Sequence, residues 1–124
     1  MPGTFLTAKE REQLASFPDD IPHWDLITYF TLTDEDHTFL KTYRTDPHRL
    51  GVALQLGAVR YLGFCPTHLH TAPLDTIAFL AEQLHVDSTE FRDYGTRRMT
   101  RSAHFQAVLD HLGLRRVQAK QTPP

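Results

Sequence analysis

Four arginines, Arg92, Arg97, Arg98 and Arg101, crowd the ten-residue stretch RDYGTRRMTR, where Gly95 followed by Thr96 signals a helix start. A guanidinium is a permanent cation with a rigid fork of donors, and a helix start offers unpaired backbone N–H groups, so together they favour a phosphate. Arg97 and Arg101 stand four apart, hence on one helical face, with the Thr96 hydroxyl available as a further donor and Arg92 beside them. The competing use is a solvated basic face balanced by acids elsewhere in the chain.

Other spacings are chemically weaker. Cys65, His68 and His70 in CPTHLH offer three zinc-type ligands, but no fourth follows at a familiar interval, so clustering among eight histidines explains them better and no metal or cofactor is expected. His104 and His111 lie seven apart without a recognisable nucleophile motif nearby, and no Gly-rich phosphate loop, G-x-S-x-G or H-E-x-x-H occurs. An enzyme acting alone is not supported. The segment AEQLHVDSTEF has the pattern of a helix-turn-helix centre, with Ala81 packing the two helices, Leu84 and Val86 flanking the turn and Phe91 anchoring the second helix. His85 stands where glycine is usual in such turns, and plain helix packing is the alternative reading.

The elements that must position these residues read as helices, with no strand pattern. Thr7 caps a first helix to Phe17, with Glu10 completing a capping box and Pro18 stopping it. Pro22 opens a second to Phe30 with Trp24, Ile27 and Phe30 inward, and Thr33 caps a third whose Asp34, Glu35 and Asp36 suit the helix dipole. Asp46 and Pro47 begin a long helix to Leu62, with Leu50, Leu54, Ala58 and Tyr61 on one face and Val52, Leu56 and Val59 on the next. A stripe that wide predicts a central helix touched from several sides, with Gly51 and Gly57 admitting close neighbours and Gly63 as the stop. Pro73 opens a helix to His85 with Ile77, Leu80, Ala81 and Leu84 inward. Ser88 or Thr89 starts a short one to Tyr94, and Thr96 caps the last, to Leu112, with Met99, Ala103, Ala107, Val108 and Leu112 available for packing.

The expected fold is therefore all-α, a compact bundle of about five to seven short helices containing helix-turn-helix-like elements. It would occupy residues 1–116, with a sub-boundary near Asp46 as the alternative division and 117–124 as a tail or the start of a linker. At 40% hydrophobic and 23% charged, the 124-residue chain can bury a core. Residues 1–46 carry four basic against nine acidic side chains and residues 87–124 seven against four, so an acidic front meets a basic back. The opening MPGTFLTAKERE lacks a basic and an apolar leader region, Cys65 is alone, and no run approaches the 20 or so apolar residues of a membrane span; cytoplasmic localisation is expected.

The run RLGVALQLGAVRYLGF, with FLT at 5–7, FP at 17–18, IAFLAEQL, and Y-x-x-R-x-x-x-R-x-x-H from Tyr94 to His104, resembles the N-terminal region of Tn-three family replicative transposases. The order and spacing match over most of residues 4–116. The resemblance implies a non-catalytic part of a longer transposase that recognises double-stranded DNA at transposon terminal inverted repeats, the ribonuclease-H-like catalytic domain lying far downstream. It singles out Arg49, Gln55 and Arg60 on the central helix and Tyr94, Arg97, Arg101 and His104 in the last segment. Arg92, Thr96, Arg97, Arg98 and Arg101 are the expected DNA contacts. Arg49, Gln55, Arg60 and His104 are either contacts or structural, Arg49 and Arg60 by pairing with the acidic front and His104 as a polar core residue. A helical module for transposase self-association is the reading from another class.

Overall fold

The long helix predicted from Asp46 to Leu62 is the axle of the structure, and its ten residues from Leu50 to Val59 are all buried. The computed structural model describes residues 15–95 and 97–114. The helix predicted from Thr7 lies mostly outside them, as do Thr96 and the tail. Among the described residues five α-helices follow one another: α1 His23–Phe30, α2 Asp34–Leu40, α3 Asp46–Leu62, α4 Leu74–Leu84 and α5 Arg98–His111. Short 3-10 helices, Leu69–Thr71 and Ser88–Asp93, precede α4 and α5. The architecture is an all-α bundle, and a single parallel bridge from Ser16 to His68 is the β-type pairing among the described residues.

Local signals set the helix ends. Thr33 and Asp36 form a reciprocal capping box at α2, the Asp36 N–H donating to Thr33 Oγ1 at 3.0 Å and the Thr33 N–H to Asp36 Oδ2 at 2.9 Å. Thr45 caps α3 one residue earlier than Asp46, its hydroxyl accepting from the His48 N–H, with Pro47 in the first turn. Gly63, at φ 86°, ends α3 in the left-handed conformation.

α3 accepts its neighbours through its glycines. Phe30 of α1 packs on Gly57 and the Tyr94 ring on Gly51, in space that any Cβ would fill. One hydrophobic cluster joins Phe17, Ile21, Leu26, Phe30 and Leu40 to Leu50, Leu54, Ile77, Leu80, Phe91 and Val108.

Two predicted faces are corrected. In α1 the inward residues are Leu26 and Phe30, whereas Trp24 is 76% exposed and Ile27 is exposed as well. The helix is turned so that Phe30 meets Gly57 and Tyr29 and Phe30 meet Tyr61, a fit that hydrophobicity alone does not specify. In α5, Met99 is 83% exposed and Ala103 is exposed, while His104 and Val108 are buried. The inward stripe runs through a histidine because a buried tyrosine is there to receive it.

Candidate nucleic-acid interface

α5 begins at Arg98, preceded by Arg97 as an extended N-cap at φ −111° and ψ 128°. Arg97 is exposed and its side chain makes no capping bond to the first-turn N–H groups of this 14-residue helix. Arg92, on the preceding 3-10 helix, is exposed too. Beside them a shallow cleft is lined by His48, Asp93, Gly95, Arg97 and Thr100. The arrangement places permanent cations around a positive helix end, which suits a phosphate better than any acid–base chemistry.

A buried polar chain holds this end of the molecule on α3. Tyr94 is fully buried, and its hydroxyl accepts from Gln55 Nε2 at 2.7 Å and lies 2.8 Å from His104 Nδ1. Burial, with His48 close by, lowers the His104 pKa to about 4, so the ring is neutral near pH 7 and Nδ1 can accept a hydrogen bond from the tyrosine hydroxyl. Burial likewise holds the Tyr94 hydroxyl well above the usual phenol range. The Arg92–Arg101 region is thereby anchored through Tyr94, which sequence reading placed only at the end of a short helix.

The remaining residues singled out by sequence divide between surface and scaffold. Arg101 is half-buried and folds back across Gly95, its Nη1 3.4 Å from the Thr67 carbonyl, while its own carbonyl accepts from Gln55 at 3.4 Å. It therefore shares neither the exposure nor the direction of Arg97. Arg60 is a scaffold residue, forming a two-pronged pair with Asp36 at 2.7 and 2.9 Å. His111 Nε2 approaches the same carboxylate at 2.8 Å. Burial alone would raise the Asp36 pKa, but bonds from Arg60, the Thr33 backbone and His111 outweigh it and hold the carboxyl well below the usual range. Arg49 pairs with Asp46 at 2.8 Å, one turn back on its own helix. Gln55 and His104 belong to the buried chain. Asp36 and His111 were not legible as a pair, since 75 residues separate them.

The helix-turn-helix pattern is realised in part. His85 adopts the left-handed conformation, φ 61° and ψ 43°, that the turn requires. The element after it, Ser88–Asp93, is a six-residue 3-10 helix capped by Asp87 and pinned by buried Phe91. It is too short to lie along a groove as a recognition helix; α5 is the longer exposed one. Nearby, His70 Nε2 donates to the Phe91 carbonyl at 3.1 Å and burial pushes the Cys65 thiol up to about 12. Among the described residues, no three His, Cys, Asp or Glu side chains converge as a metal site.

An all-α bundle with an arginine-flanked helix start is the class of protein these features define. The chain belongs to the family described as Domain of unknown function (DUF4158), whose profile matches residues 5–123. It is 35% identical over 109 residues to the transposase for transposon Tn501 of Pseudomonas aeruginosa, covering 88% of this chain and 11% of that one. It is 31% identical over 103 residues to the transposase for transposon Tn1546 of Enterococcus faecium (83% and 10%) and 32% identical over 114 residues to that for Tn21 of Escherichia coli (90% and 11%). The similarity to Tn-three family transposases expected from sequence is therefore found, and the chain spans about a tenth of the length of the curated relatives it matches. No helix among the described residues is long and apolar enough to cross a membrane.

Proposed function

We propose that this domain is the N-terminal DNA-binding part of a Tn-three family transposase, reading the transposon's terminal inverted repeats without itself cutting or joining DNA. The observation that carries the reading is the pair of exposed arginines, Arg92 and Arg97, the latter at the N-cap of α5, backed by a buried Tyr94 anchor. The similarity to transposases supplies the class of partner, double-stranded DNA. Arg97 and Arg92 serve as phosphate clamps. Arg101, Arg60, Arg49, Gln55 and His104 act by holding the fold.

The test is fluorescence anisotropy on a labelled duplex bearing the terminal inverted repeat and on a scrambled duplex, across a salt series. Binding should favour the repeat and weaken log-linearly with salt, and Arg92→Ala with Arg97→Ala should reduce the slope by about 2, one for each phosphate no longer neutralised. Equal, negligible binding to both duplexes at low salt would contradict the reading.

A further inference from the structure

α1 and α4 are tied side by side at their C-terminal ends. The Leu32 N–H donates to Gln83 Oε1 at 2.8 Å, and Gln83 Nε2 donates to the Phe30 carbonyl at 2.9 Å. Beside this tie the two helices flank a groove lined by Asp20, Ile21, Pro22, His23, Leu26, Asp75, Ala78, Phe79 and Glu82. Its floor is apolar, its three carboxylates are exposed, and it holds no lysine or arginine. Large apolar side chains stand exposed on α1 and α4 near these lining residues in sequence. Ile27 is one turn on from His23 in α1, Trp24 follows His23 directly, and Leu74, 84% exposed, is one turn before Ala78 in α4. An apolar patch of this kind rimmed by charge marks an interaction surface.

The charge selects the occupant. Three carboxylates repel DNA and repel a symmetric pairing of the groove with itself, so the occupant is basic and carries an apolar side chain for the floor. This chain has such an element at its other end. Met99 projects 83% exposed from the first turn of α5, two residues after exposed Arg97 and with exposed Arg92 on the element before it. We propose that the α1–α4 groove receives the α5 start of a second copy, Met99 entering between Ala78 and Phe79 while Arg97 meets Glu82 and Asp75. The contact is head-to-tail, so each copy keeps one free groove and one free α5 start, and association continues beyond two. It does not rest on the DNA reading, although a bound duplex would compete for Arg97.

A head-to-tail contact has a signature that no symmetric one shares. The groove variant Asp75→Lys/Glu82→Lys and the knob variant Arg97→Ala/Met99→Gln should each be monomeric, because each lacks one half of the contact. Mixed one to one, they should form a dimer and stop there, the intact groove of one taking the intact α5 start of the other. Sedimentation velocity on the full chain from about 1 to about 100 μM reads this directly, in the range of weak, regulated contacts. Emission from Trp24, the sole tryptophan, should shift to the blue as the wild-type chain associates. Circular dichroism verifies that each variant is folded, with Glu82→Lys alone as the milder groove variant.

A wild-type chain that stays monomeric at the highest concentration overturns the proposal, as does a mixture of the two variants that stays monomeric. The groove variant should still bind duplex DNA. Absence of duplex binding by the wild-type chain would sink the functional reading and leave this one standing.

Discussion

The ring of Tyr94 lies over Gly51, its Cγ, Cδ1 and Cδ2 filling the place where a side chain at residue 51 would begin. Phe30 bears the same relation to Gly57, two turns further along α3. Glycine in mid-helix costs about 1 kcal/mol against alanine, so the two glycines are kept for the aromatic rings they admit. Those rings attach the front of the chain through Phe30 and the arginine-bearing end through Tyr94.

Gly57→Leu and Gly51→Leu should each destabilise the fold by more than about 2 kcal/mol, since the gain in helix propensity is smaller than the cost of displacing a buried ring. At about 5 °C per kcal/mol for a domain of this size, the melting temperature should fall by more than 10 °C. Thermal unfolding followed at 222 nm decides it, and an unchanged transition for either variant would refute the close packing.

Asp36 ties three helices together: it caps α2, holds Arg60 of α3 and receives His111 at the end of α5. Removing it leaves a half-buried guanidinium without its carboxylate, so Asp36→Ala should cost about 3–5 kcal/mol, more than Glu35→Ala on the exposed side of the same turn. The folded carboxyl titrates below its unfolded counterpart. Its contribution is thus complete above about pH 4 and is lost as the pH falls below that, giving an acid-unfolding limb that Asp36→Ala lacks. Urea unfolding at pH 3 and pH 7 measures both effects.

Much of the scaffold can be read in the sequence because its signals are local. The width of the apolar stripe around Leu50 to Val59 marks a central helix, Gly63 marks its end, and Ile77, Leu80 and Ala81 mark the inward face of α4. Two faces could not be read that way. Trp24 with Ile27 and Leu26 with Phe30 are equally good helical pairs, and the choice between them is made by Gly57, in another element. In α5 the buried stripe includes His104, whose burial depends on the hydroxyl of Tyr94, while the more apolar Met99 is left outside.

The site was legible only as a concentration of charge. Sequence puts Arg97 and Arg101 on one face, but the Thr67 carbonyl and Gly95 draw Arg101 away, and the loop that carries Thr67 lies 34 residues earlier. Arg60 lost its candidacy to Asp36, 24 residues distant, a pairing with no local signature. Long-range partners decide which charges remain available, and residue type does not reveal them.

Cys65 should be slow toward thiol reagents. Burial pushes its thiol up to about 12, with Arg101 offsetting only part of that, so at pH 8 the thiolate is scarce as well as covered. Reaction with an aromatic disulfide reagent should proceed far more slowly in the native chain than in denaturant. Equal rates in the two states would show that the loop from Cys65 to Leu69 does not stay closed.

His104 makes the stability of the arginine-bearing end depend on pH. In the unfolded chain it takes a proton near pH 6.5, whereas in the fold burial and His48 hold it neutral down to about 4. Between those values the unfolded state binds more protons, so stability is complete above about 6.5 and declines as the pH falls toward 4, by up to about 3 kcal/mol. Protonation would also place a donor at Nδ1, facing a tyrosine hydroxyl that already accepts from Gln55. The ring resonances of His104 should titrate with a midpoint near 4 in the native chain. Stability measured by urea at pH 5 and pH 7 should differ less in His104→Gln than in the parent, and an equal difference would assign the pH dependence to other groups.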